Sequence, residues 1–166
     1  MKNMVLIAAI IAHFLLVGAD AFCQVAICPV VLSAPPSSLA MYQGEFAYDS
    51  SLFWRPVNMI ALGLLFAALF MNWRTRRRNL LLVWLAGAIV ITIVSLGFVY
   101  PEFKDIVSAT FSDTVESALV DRGANWRIIA LVRLVVFTGL GVLPLVALSK
   151  QPQELTSIET TRIPSL

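Results

Sequence analysis

Six polar or amphipathic side chains stand within or beside otherwise apolar stretches of this chain: His13, Asp20, Gln24, Asn58, Trp126 and Arg133. Arg133 is the most telling, because a guanidinium inside a membrane-length apolar run costs about 3 kcal/mol unless it is paired or reaches water. His13, Asp20 and Gln24 follow at intervals of seven and four residues, which lays them along one face of a helix. A carboxylate, an amide and an imidazole on one face could anchor a hydrogen-bonding ligand or pass a proton. At the helical rise, Arg133 lies about 10 Å below Trp126, while Asp20 and Gln24 lie roughly 8 to 14 Å from Pro29. The levels coincide, so Arg133 meets Asp20 as a buried ion pair, with Gln24 as a further acceptor, if the first and last apolar runs are neighbours. Alternatively, Arg133 snorkels to the headgroups and leaves Asp20 protonated. His13 is deeper, either a hydrogen-bonded packing residue or a catalyst tuned by burial. Asn58 enters at a shallower level, below Trp54 and Arg55, where it could close the cluster.

The elements that position these residues follow from composition. Hydrophobic residues make up 59% of the chain and charged ones only 13%, against about 25% charged for a soluble domain. Four apolar runs, 4–31, 53–73, 80–100 and 128–148, reach the length of about 20 residues that spans a bilayer as a helix. The intervals 32–52 and 101–127 are too short for a second domain. The expected fold is all-α: a four-transmembrane-helix bundle over residues 1–150, followed by a flexible cytoplasmic tail over 151–166 rich in Gln, Thr, Ser and Pro. Gly63 with Ala67, and Ala8 with Ala12, permit close helix contact, and Gly139, Gly141 and Pro144 weaken the last span enough to permit a bend.

Positive charge near span ends sets orientation. Arg74, Arg76, Arg77 and Arg78 occupy a tight turn between the second and third runs, and Lys2, Lys150 and Arg162 fall on the same side. Both termini are therefore expected in the cytoplasm of a multi-pass cell-membrane protein, with the two longer loops outside and net acidic. The arginine tract could also meet anionic lipid or a nucleic acid, but topology and headgroup contact account for it, and no nucleic-acid partner is expected. Lys2, an apolar core and Ala19-Asp20-Ala21 also fit a cleavable signal peptide. The run continues through Val25, Ala26, Ile27, Val30 and Val31, which favours a retained span.

Cys23 and Cys28, five positions apart on an α-helix, point about 140° from each other, poor geometry for a disulfide unless Pro29 has unwound the turn. They read as structural. One histidine and two cysteines build no standard structural zinc site and no bis-histidine haem within one chain, so no metal and no cofactor is expected.

The first loop is rich in aromatics. Tyr42, Phe46, Tyr48, Phe53 and Trp54 form either an interfacial belt or a cap on the bundle mouth above Arg133. In the second loop, Ile106, Val107, Phe111, Val115, Ala118 and Leu119 recur near helical spacing. They predict a short amphipathic helix along the outer surface, with Asp113 and Glu116 as a cap and Gly123 as its end. Together the two loops could form a lid.

Phe22 and Pro29 late in the first run, Phe53-Trp54-Arg55-Pro56 opening the second, Tyr100-Pro101 closing the third, and Trp126 followed seven residues later by Arg133 resemble a known pattern. It is that of small bacterial four-helix inner-membrane proteins, mostly uncharacterised, akin to the anthrone oxygenase-like family. The resemblance covers most of 29–148 and implies cofactor-independent oxidation of a polycyclic phenol, with Trp126 and Arg133 at the positions of that family's late Trp and Arg. Glu102-Phe103 replaces the polar residue expected after Pro101.

Three function classes follow. A protein that binds a small hydrophobic molecule in the outer half of the bundle needs a cavity faced by Arg133. An oxygenase-like enzyme needs the same cavity with His13 or Asp20 in reach of substrate. A structural or accessory subunit needs no cavity. A transporter of four spans without internal repeats would need an oligomer, and oligomeric state is left open. Small-molecule binding is the reading the polar cluster favours.

Overall fold

The computed structural model describes residues 1–150; the flexible tail expected at 151–166 lies outside the described residues. Four helices are long and apolar enough to cross a membrane: Lys2–Val31, Ser51–Met71, Arg78–Val107 and Ser117–Ser149. Here they are the first to fourth spans. The described residues contain no strand, and the chain is an all-α, multi-pass membrane protein. Large apolar side chains such as Ile11, Met59, Phe70, Ile93 and Val135 point outward, the pattern expected where lipid is the solvent.

The spans form a ring in chain order, and the first closes it against the fourth. Buried residues make up 44% of the first span's most apolar stretch but only 17% in each of the others, so the first span is the packing centre. Two cores hold the ring. At the end that carries the arginine turn, Leu6, Ala9, Leu65, Leu69, Leu81, Trp84, Leu85 and Ala147 bring all four spans together. At the opposite, loop end, Cys28, Val31, Leu39, Val99, Ile106, Trp126 and Ala130 join the first, third and fourth spans and the first loop. The second span contributes nothing to this core. It packs along the first span, and its loop-end half lines a gap left against the third and fourth.

Two spans contain a π-helical turn, Cys23–Ile27 and Ser95–Val99, and each is followed closely by a proline, Pro29 or Pro101. Proline lacks an N–H and its ring crowds the carbonyl four residues back, so the helix widens ahead of it. The widened bonds run from the Cys28 N–H to the Cys23 carbonyl and from the Tyr100 N–H to the Ser95 carbonyl. This changes the expectation for the cysteines. A π turn holds more residues per revolution than an α turn, so Cys23 and Cys28 swing toward one side instead of diverging. Both are free thiols and both face the same interior cavity.

The first, third and fourth spans are longer than their apolar runs, because polar ends continue the helices. An amphipathic segment is present at Tyr100–Val107, but it prolongs the third span instead of lying apart on the surface. The expected helix through Gly123 divides at 108–116. Ser117 opens the fourth span, with the extended Glu116 as its N-cap, so Gly123 lies inside a helix and ends nothing. Its missing side chain serves packing: a Cβ there would stand 3.3 Å from Leu32 Cδ2. Arg122 pairs with Glu102 at 2.9 Å and Asp105 at 2.5 Å, tying the two extensions together. The weakness foreseen in the fourth span is real: its helix runs Ser117–Leu140, turns at Gly141 and resumes as Val142–Ser149.

Candidate functional site

The gap beside the second span is a cavity of about 550 Å³. His13, Asp20, Gln24, Asn58, Trp126 and Arg133 all line it, so every residue singled out from the sequence reaches one interior space. Its floor is apolar, with Ala9, Leu62, Leu65, Trp84 and Phe137, and its loop end is aromatic, with Tyr42, Tyr48, Trp54, Tyr100 and Phe103.

Between floor and mouth sits the polar anchor. Arg133 Nη2 donates to Asp20 Oδ2 at 2.5 Å, and Arg133 Nη1 donates to Ser95 Oγ at 3.0 Å. The Ser95 hydroxyl in turn donates to the Ile91 carbonyl at 2.7 Å, which fixes its oxygen as an acceptor for the guanidinium. Side-chain exposures of 22% for Arg133 and 8% for Asp20 place the pair in the wall, so the guanidinium does not snorkel. Ser95 opens the π turn of the third span, and Gln24 lies in the π turn of the first. Gln24 is buried to 2% exposure against the Asp20 carboxyl, yet its Oε1 has no partner, and neither has Arg133 Nε. An acceptor and a donor are thus left wanting at the same anchor, each costing about 1–3 kcal/mol if nothing complements it.

His13 is differently placed. Its Nδ1 accepts from Trp84 Nε1 at 3.4 Å, so the proton sits on Nε2, which donates to the Phe137 carbonyl at 3.1 Å. That carbonyl is free because the Gly141 N–H, four residues on, bonds to Thr138 instead. The break in the fourth span therefore creates the acceptor that holds the histidine. Gly141 is also required for the approach: an added Cβ would lie 2.8 Å from Phe14 Cζ and 2.9 Å from His13 Nε2. Gly141→Ala is expected to cost about 1–3 kcal/mol, the usual price of overpacking. Thermal unfolding in detergent checks this, with Gly139→Ala, at a position open to added volume, as the control. With both ring nitrogens occupied and Phe14, Trp84 and Phe137 around it, His13 is an anchored packing residue at the cavity floor.

The other two candidates also have backbone partners. Trp126 Nε1 donates to the Val99 carbonyl at 2.7 Å, which locks the fourth span to the π turn of the third. Asn58 lines the cavity, but its amide donates to Trp54 O of its own helix at 2.7 Å and makes no bond to the Arg133 cluster. The first loop covers the loop end: Tyr42 stacks edge-on against Tyr48 and Phe103, and Phe103 packs on Trp126 with centroids 4.7 Å apart. Gln43 Nε2 reaches the Ala109 carbonyl at 2.8 Å and joins the two loops. Burial pushes the Tyr42 hydroxyl up to about 12, so it stays protonated above the cavity. Phe46, 94% exposed, takes no part in this cap.

One important residue carries no signal of its own in the sequence. Arg77, the third arginine of the tight turn, is 1% exposed. Its Nε donates to Lys150 O at 2.8 Å, its Nη1 to Asn3 Oδ1 at 2.6 Å, and its Nη2 to the Leu148 and Lys150 carbonyls. It caps the end of the fourth span and ties it to the first. Its three neighbouring arginines are alike in sequence, and nothing in their spacing sets Arg77 apart.

Compared with protein-family models, with curated proteins and with solved structures, the chain matches none. Fold and geometry define the class: a four-span membrane protein with an ion pair set in the wall of an internal cavity.

Proposed function

We propose that this protein binds a small hydrophobic molecule in the bundle, with the Asp20–Arg133 pair as its polar anchor. The observation that carries the reading is the convergence of polar residues from all four spans on one cavity of about 550 Å³, within the range of small-molecule sites. Mass spectrometry of an organic extract of the purified protein tests the proposal. A lipophile enriched to near one per chain over bulk phospholipid is expected; phospholipid in bulk proportions alone would overturn it.

The site lies in the outer half of the bundle when the positive-inside rule is applied. Lys2, Arg74, Arg76, Arg78 and Lys150 gather at the end opposite the acidic loops, an asymmetry that supports cytoplasmic termini. A green fluorescent protein fused to the C-terminus should fluoresce and an alkaline phosphatase fusion should be inactive. The reverse result would invert the topology.

A second reading, cofactor-independent oxidation of a polycyclic phenol as in the anthrone oxygenase-like proteins, is favoured by one observation: Trp126 and Arg133 face the same cavity. Asp20 is the one carboxyl among the lining residues and so the candidate to take a proton, since both His13 nitrogens are engaged. Oxygen uptake on adding anthrone, lost in Asp20→Asn, would establish it; uptake no faster than without protein would remove it.

A further inference from the structure

Several residues that line the cavity are at the same time exposed on the outside of the bundle. On the third span these are Thr92, Leu96 and Tyr100, spaced by four along one face; on the second they include Asn58 and Met59. Met59 is 76% exposed and Leu96 67%. A side chain that belongs both to a cavity wall and to the outer surface marks an opening. The loop-end core, which excludes the second span, explains why the opening lies between the second and third spans. At membrane depth that opening faces hydrocarbon.

The anchor inside is electrically balanced. Asp20 and Arg133 cancel, and the anchor leaves one acceptor, Gln24 Oε1, and one donor, Arg133 Nε, without partners. A carboxylate would bring an uncompensated charge beside Asp20, whose own charge Arg133 already balances. A hydroxyl donates and accepts, and carries no charge.

We infer that the cavity is reached sideways from the bilayer between the second and third spans, and that it selects an uncharged, hydroxyl-bearing amphiphile over a fatty anion. This rests on the small-molecule reading above and names the class of molecule for that site. Trp54, Trp84 and Trp126 line the cavity, so a bromine-tagged ligand inside it quenches their fluorescence. In nanodiscs of uncharged lipid, bromine-tagged dodecanol is expected to quench saturably, and the matching dodecanoate to bind at least about tenfold more weakly, a difference of about 1.4 kcal/mol. The paired substitution Met59→Phe with Leu96→Phe narrows the opening on its lipid side, away from the cores, and should slow the quenching by dodecanol about tenfold or more.

The outcomes separate the claims. Saturable quenching by neither compound would remove the binding reading itself. Dodecanoate binding as tightly as dodecanol would leave binding intact and overturn the selection for an uncharged ligand. An unchanged rate in the Phe variant, shown by its melting midpoint to be folded, would overturn the sideways route.

Discussion

Asp20→Ala is expected to destabilise the protein by about 3–5 kcal/mol, because it leaves the Arg133 guanidinium in the bundle wall without its counter-ion. The Ser95 hydroxyl remains as a partner, but one neutral hydrogen bond does not offset a lost ion pair at 2.5 Å in low dielectric. Arg133→Ala should cost a similar amount by stranding the carboxylate. The paired change Asp20→Leu with Arg133→Met removes both charges and fills similar volume, so stability should return to the native level or exceed it. Chemical or thermal unfolding in detergent reads all three variants, and adding the single changes Asp20→Leu and Arg133→Met closes a cycle that isolates the coupling. Single substitutions that cost less than about 1 kcal/mol would mean that the pair is as weak as a solvated surface bridge.

Arg77→Ala carries the second large expected effect, about 2–4 kcal/mol, since one guanidinium serves Asn3 and the carbonyls of Leu148 and Lys150. Those carbonyls belong to the last turn of the fourth span, where the helix supplies no donors of its own. Burial pulls down the proton affinity of Arg77, and the fork of donors offsets the cost of keeping its charge. Lysine, with a compact head and no planar fork, should recover less than half of the loss. Arg76→Ala, one position away and exposed, should stay within about 0.5 kcal/mol. Comparing the unfolding midpoints of the three variants checks the assignment; equal losses at Arg76 and Arg77 would contradict it.

Much of the architecture could be read from the chain because a membrane helix is a ruler. Counting residues inward from Pro29 and Trp126 is enough to bring Asp20 and Arg133 to one level, and the ion pair follows once the first and fourth spans touch. The same ruler misjudges segments where the helix is not α. Cys28-Pro29 and Tyr100-Pro101 each signal a missing N–H, but sequence alone does not say whether a helix answers with a kink, a stop or a π turn. The choice of a π turn brings the cysteines round to the cavity and sets Ser95 against Arg133. Loop helices were legible in periodicity and not in their boundaries: Gly123 has the look of a stop signal, yet it is the small residue on which Leu32 packs. Asn58 lies on the expected face, but a bond to its own helix satisfies its amide, a local competition that spacing does not reveal.

Native mass spectrometry in mild detergent, run side by side on the native chain and on the Asp20→Leu, Arg133→Met pair, tests most directly whether the polar anchor holds a guest in the cavity. A non-covalent adduct on the native chain, smaller than a phospholipid and lost from the double variant, is the result expected. A bare native chain, or an adduct retained equally after both charges are removed, would contradict the account.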